Sequence, residues 1–188
     1  MGSIIDDLSS FISVDIEAAG PIPSQYALLS IGACSLSQPR RTFYAELIPD
    51  KDRADPHAMD VHGLDLSRLA REGLPPEVAL RRLATWLTEA VPPGRPSLMV
   101  GFNLPFDWMF VNDYFHRYLG ANPFGHSAVD IKAVYLGASG KTWAETSGSY
   151  LHQRYLAGSQ LTHNALEDAI AQAMIFEGIL KEFFVISD

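Results

Sequence analysis

Apolar and polar positions along the chain alternate with two different periods, and each period predicts a different element. Residues 11–18, 26–36 and 41–48 are short runs rich in Val, Ile, Leu, Phe and Tyr. Turn-forming stretches, "GPIPS" and "SQPR", separate them. That spacing predicts three strands in an antiparallel meander. The pattern then changes. After a Pro/Asp/Arg-rich loop at 49–56 comes a helical region, and within 75–90 Leu83, Trp86, Leu87 and Ala90 recur at helical spacing. Proline opens that segment and "VPPG" closes it, so a helix over 75–90 is predicted. A fourth strand, 97–102, leads straight into a helix over 105–119. A short strand near 127–131, a further helical region and a final helix over 165–184 complete the order. Three strands followed by strands alternating with helices predict an α/β fold with a mixed sheet, the first crossover falling between strands three and four.

One run breaks its own pattern. In "FISVDIEAAG" the strand carries Asp15 and Glu17 at its centre, and residues two apart in a strand share a face. Two carboxylates held close and partly shielded from water repel each other and lose hydration. Such an arrangement calls for a counter-charge.

Two later stretches have the same character. "VGFNLPFDW" puts Asn103 at a strand end and Asp107 in the first turns of a helix, where Pro105 is tolerated because early helical N–H groups lack partners. In "LTHNALEDAI", Asn164 is placed to cap the last helix with Glu167 completing the pattern. His163 then lies just outside the helix, and Asp168 lies early within it, near the positive end of the dipole. D-x-E, N-x3-D and H-x4-D are each weak signals. All three in this order arise by chance in roughly one chain in a hundred of this composition.

Composition narrows the setting. The chain has 188 residues, 47% hydrophobic and 19% charged. It is therefore expected to form one domain over 1–188, with a core at about 11–184. No apolar run is long enough to span a bilayer, and the N-terminus shows no leader pattern. Asp6 stands where a myristoylation site needs Ser or Thr. The single cysteine, Cys34, precludes an internal disulfide and points to a reducing compartment, with the cytoplasm expected. A net charge of −8 opposes tight, extended contact with nucleic acid unless cations or a local basic patch intervene.

Asp15-Ile-Glu17, Asn103-x3-Asp107 and His163-x4-Asp168 resemble the three motifs of the DEDDh group of 3′–5′ exonucleases, which includes proofreading exonucleases, ribonuclease T and oligoribonuclease. The resemblance covers about residues 11–180, with "SIGA" in the second strand and "MDVHGL" at 59–64. It implies a ribonuclease H-like fold and release of nucleoside 5′-monophosphates from a free 3′ end of single-stranded or short RNA or DNA. It also implies two divalent cations, Mg²⁺ or Mn²⁺, held by Asp15, Glu17, Asp107 and Asp168, with Asp107 acting largely through water. Oxygen-rich sites suit both ions. His163 is implied as the general base, a role that fits an imidazole on a loop. Ala18, His62, Asn103 and Phe106 fall where the family meets its substrate. Two positions depart from the usual pattern: Ala18 replaces a frequent Thr, and Phe102 a frequent His.

Other readings stand beside these. His62 also reads as a helix-end histidine with a structural hydrogen bond, and Asp130 as a site acid or a strand-end structural one. Phe102, Phe106, Trp108, Phe110, Tyr114 and Phe115 are candidates for base stacking or core. Arg40, Arg41, Lys132, Lys141 and Arg154 are candidate phosphate contacts or solvated surface. "GASGKT" at 137–142 lacks the full spacing of a phosphate loop. The competing functional reading is a proofreading-like subunit that acts by docking to a polymerase or other partner. A phosphatase or another nuclease built on the same carboxylates is a third. A homodimer is implied only by analogy with RNA-directed relatives.

Overall fold

A computed structural model describes residues 8–157 and 162–184. Asp6 and the stretch read for a leader lie outside them. Five strands form one sheet, β1 (Phe11–Ala18), β2 (Leu28–Ser35), β3 (Thr42–Glu46), β4 (Leu98–Gly101) and β5 (Ala128–Asp130), in the spatial order β3-β2-β1-β4-β5. The first three run antiparallel, and β4 and β5 lie parallel to β1. Between β3 and β4 come α1 (Pro56–His62), α2 (Leu66–Glu72) and α3 (Pro76–Ala90). The remaining helices are α4 (Pro105–Leu119), α5 (Ile131–Ser139), α6 (Gly148–Tyr155) and α7 (Ala165–Phe184). The mixed sheet and the ribonuclease H-like order anticipated from the sequence are both present.

The alternation in β1 sorts its side chains between two layers. Ile12, Val14, Ile16 and Ala18 enter a core shared with Leu80, Leu83 and Leu87 of α3 and Phe110, Val111, Tyr114 and Phe115 of α4. Phe11 points the other way, into a core with Ile131, Tyr135, Leu151, Ala169, Ala173 and Phe176 from α5, α6 and α7. Helices therefore cover both faces, as parallel strands require. Phe110, Tyr114 and Phe115 are core residues, while Trp86 is half-buried against Phe43. Among the described residues no helix is long and apolar enough to cross a membrane.

Local chemistry sets the helix ends. Asp55 accepts hydrogen bonds from the N–H groups of His57 and Ala58 to start α1, and Asp65 does the same for α2. Asn164 Oδ1 accepts from the N–H groups of Leu166 and Glu167 at 3.1 and 3.2 Å, which fixes the start of α7. "GASGKT" turns out to be a helix end: Gly140 closes α5 in the left-handed conformation.

Candidate active site

β1 outruns its parallel neighbour. Only Phe11, Ile12 and Ser13 pair with β4, opposite Leu98, Met99 and Val100. Asp15 and Glu17 thus lie past that pairing, held only on the other edge by Gly32 and Ser30 of β2. Directly after Glu17 the register slips, Ala18 pairing with Leu28, so the strand is bulged beside the acids. Both carboxylates face the layer in which α7 sits. Gly32 makes the close approach of α7 feasible: a Cβ there would fall 2.1 Å from the Ala165 carbonyl oxygen.

The β4–α4 junction brings in the second motif. Asn103 adopts a left-handed conformation, φ 55°, which asparagine tolerates better than most residues. Asp130 secures the junction: its Oδ2 accepts from Leu104 N–H at 2.7 Å, and its Oδ1 accepts from Ala133 N–H to cap α5. Asp130 thus has the hydrogen bonds that its structural reading calls for. Asp107, buried in the first turn of α4, accepts a 3.0 Å hydrogen bond from Ile16 N–H, which ties the helix to β1 between the two strand acids.

The third motif arrives on α7. His163 is exposed, with φ 52°, immediately before the cap. Asp168 is buried and accepts from Thr162 N–H at 3.2 Å. All four acids, with His163, Asn103, Phe102 and Phe106, line one cavity of about 620 Å³. Among the described residues, the cavity lining holds four carboxylates and no lysine or arginine.

Crowding shows in the ionisation. Burial, followed by repulsion from Asp107, Glu17 and Asp168, pushes Asp15 well above the usual carboxylate range. Burial and repulsion from Asp168 and Asp107 push Glu17 up to about 8. Burial also raises Asp107 to about 8, against the opposing hydrogen bond from Ile16. Carboxylates that resist ionisation for want of a counter-charge fit the binding of hard cations. Ligand atoms of Glu17, His163 and Asp168 lie within 4.8 Å of one another, so the loop does bring His163 to Asp168.

The remaining predicted contacts divide. Asn103 and Phe106 line the catalytic cavity. Ala18, His62 and again Phe106 line an adjoining hollow of about 350 Å³ with Glu17 and Val61. His62 ends α1 and its Nδ1 accepts from Leu64 N–H at 3.1 Å, so it has the structural bond as well as a place on the hollow. Of the basic residues, Arg40 pairs with Glu177 at 2.8 Å, Lys141 with Glu145 at 3.4 Å, and Arg154 with Glu182.

Two buried polar residues of the cavity, Gln172 and His152, were not found from the sequence. Gln172, one turn after Asp168, is buried and donates through Nε2 to Asp15 at 2.5 Å. Its i+4 spacing from Asp168 was the available signal. His152 lines the cavity from α6 and is also buried; no motif marks it.

Comparison with known proteins bears on the family and the fold. No protein-family model matches the chain. A curated Escherichia coli relative, 3′-5′ DNA exonuclease Cap18, is 42% identical over 175 residues, covering 93% of this chain and 94% of the relative. Among solved structures, a 3′-exonuclease seen in 3′-end specific recognition of histone mRNA stem-loop matches 93% of this chain with a TM-score of 0.73 at 12% identity. E. coli exonuclease I in complex with a dA16 oligonucleotide matches 92% with a TM-score of 0.66 at 20% identity. The chain spans 65% and 41% of those two proteins' lengths. S. pombe Pop2p in its Mg²⁺- and Mn²⁺-bound form matches 96% of this chain and 86% of its own, with a TM-score of 0.68 at 15% identity.

Proposed function

The chain belongs to the DEDD family of 3′–5′ exonucleases, and on that premise we propose that it removes nucleotides one at a time from the 3′ end of single-stranded DNA. The observation that carries this reading is the convergence of Asp15, Glu17, Asp107 and Asp168 with His163 in one open cavity. The DNA preference rests on the E. coli relative. Short RNA is the competing substrate.

The four carboxylates and their raised ionisation suit two divalent cations, Mg²⁺ or Mn²⁺. When bound, these supply the positive charge and Lewis-acid polarisation that a phosphodiester needs on an acidic protein. The chain's own groups do the rest. His163 accepts the proton of the attacking water as its oxygen bonds to phosphorus. The 3′ oxygen of the penultimate nucleotide leaves and takes up a proton, giving a nucleoside 5′-monophosphate and a shortened strand with a 3′ hydroxyl. Gln172 holds Asp15 in one orientation, and the Ile16 N–H does so for Asp107. Ala18, His62, Asn103 and Phe106 receive the terminal nucleoside.

The test is purified protein with Mg²⁺, Mn²⁺ or EDTA against 5′-labelled single-stranded DNA and RNA of graded length. The expected result is a ladder of mononucleotide steps from the 3′ end with either cation and none in EDTA. Cleavage of circular strands, or full activity in excess chelator, would overturn the reading.

A further inference from the structure

Phe102, Lys132 and Trp143 come from three separate parts of the chain, the end of β4, the start of α5 and the 3-10 turn after it, and the fold aligns them in one row. Phe102 follows β4 and lines the catalytic cavity. Lys132, in the first turn of α5, holds its ammonium 5.7 Å from the centre of the Phe102 ring and 4.1 Å from that of Trp143. Trp143 opens a 3-10 turn, Trp143–Thr146, that leads through Ser147 into α6. Gly148 and Ser149 of α6 line the same cavity. The row therefore runs from the cavity outward.

Trp143 is 61% exposed, more than any other large apolar side chain described. Lys132 forms no ion pair among the described residues, whereas Arg40, Arg41, Lys141 and Arg154 all do. In a chain of net charge −8, a lysine without a carboxylate partner and beside an acid-lined cavity keeps its charge available. The ammonium over the indole biases the ring's orientation while most of the ring still meets solvent. An exposed aromatic ring beside an available cation is what a single strand needs: a π-face for a base and a charge for its phosphate.

We propose that Phe102, Lys132 and Trp143 form a platform for the single strand 5′ of the terminal nucleotide, with one base stacked on Trp143 and a phosphate held by Lys132. This rests on the exonuclease reading, since it needs a strand that runs out of the catalytic cavity.

The experiment measures kcat/KM on 5′-fluorescein-labelled d(T)10 and on a series in which one abasic site moves from the second to the sixth nucleotide from the 3′ end. For the wild-type chain, an abasic site at one position lowers kcat/KM by about 5- to 160-fold, the usual range for losing a stacked base. Trp143→Ala lowers kcat/KM on intact d(T)10 by a similar factor and flattens the positional profile. Trp143→Phe keeps the profile at reduced depth, which separates stacking from folding. Lys132→Gln reduces the dependence of log kcat/KM on log salt by about 0.7, the contribution of one phosphate on a single strand. A wild-type chain that degrades d(T)10 while Trp143→Ala retains the same positional profile would overturn the platform and leave the exonuclease reading intact. A wild-type chain that degrades none of these strands with Mg²⁺ or Mn²⁺ would overturn both.

Discussion

Gln172 on the last helix and Asp15 on the first strand are joined by a 2.5 Å hydrogen bond across 157 residues of chain. The amide's orientation is fixed from its other end. Gln172 Oε1 accepts from Phe102 N–H at 2.9 Å, and a backbone N–H can only donate, so Nε2 must face the carboxylate. One side chain thus ties β1, the end of β4 and α7 together at the point where the three acidic motifs meet. It also supplies part of the stabilisation that ionised Asp15 lacks, working against burial and its acidic neighbours.

Removing that donor should make Asp15 harder to ionise. Gln172→Ala is expected to weaken Mn²⁺ binding at neutral pH by about 10- to 100-fold, the usual loss when a ligand's hydrogen-bond partner is removed. The binding profile should also move to higher pH, which a mere packing defect would not cause. Calorimetric Mn²⁺ titrations across pH check this. An unshifted profile would make Gln172 a simple packing residue.

Gly32 sets how closely α7 approaches the sheet. In Gly32→Ala the new methyl would meet backbone, the Ala165 carbonyl, at 2.1 Å, so the start of α7 has to move. Overpacking of this kind costs about 1–3 kcal/mol. Asp168 lies three residues beyond the clash, and a displacement near 1 Å at a reacting centre can cost about 10²-fold in rate. Thermal denaturation and turnover measured together should both fall. Wild-type kcat in this variant would show that α7 tolerates displacement.

The two kinds of site residue differed in how far they could be read. Asp15, Glu17, Asp107, His163 and Asp168 were legible because each motif is short and its spacing is set by one local element. The bounds of α4 were legible for the same reason, since Pro105 starts it and Gly120 closes it in the left-handed conformation. α1, α2, α5 and α6 could be anticipated only as helical regions, because their short apolar patterns do not reveal where Asp55, Asp65, Asp130 and Ser147 cap them. Gln172 acts through Asp15 and Phe102, far away in the chain, and His152 reaches the cavity only through the packing of α6, neither of which a local pattern encodes. Lys132 read as one scattered basic residue among several; only the packing of α5 against the 3-10 turn sets it over Trp143.

Raised carboxylates give the metal-free protein an unusual pH dependence. Glu17 and Asp107 titrate at about 8 when folded, and Asp15 is raised as well, against about 4 when unfolded. The folded state therefore binds more protons between those limits. Its stability from these groups is complete below about pH 4 and is lost as pH rises through about 8. In EDTA the Tm is expected to fall from pH 5.5 to 8.5, and Asp15→Asn should flatten that slope while abolishing turnover. Mn²⁺ should reverse the fall and release protons on binding. A Tm in EDTA that is level or rising over this range would mean that the acids ionise without strain.

His163 occupies a position open to two roles, since its ring nitrogen lies within 4.8 Å of ligand atoms of both Glu17 and Asp168. As general base it takes the water's proton; as a ligand it would help hold a cation. The two differ in what its removal changes. A lost base lowers kcat by about 10²–10⁴-fold and leaves metal affinity nearly as it was. A lost ligand weakens metal binding first, and saturating Mn²⁺ restores much of the rate. Its exposure and left-handed backbone just ahead of the α7 cap favour the base, because the ring stands outside the helix, on the residue between Thr162, which donates to Asp168, and the capping Asn164. His163→Ala should therefore keep wild-type Mn²⁺ affinity by calorimetry, lose turnover at saturating metal, and recover part of it when free imidazole is added to serve as the missing base. If the variant instead binds Mn²⁺ tenfold more weakly and regains its rate at high Mn²⁺, the histidine is a ligand and another group takes the proton.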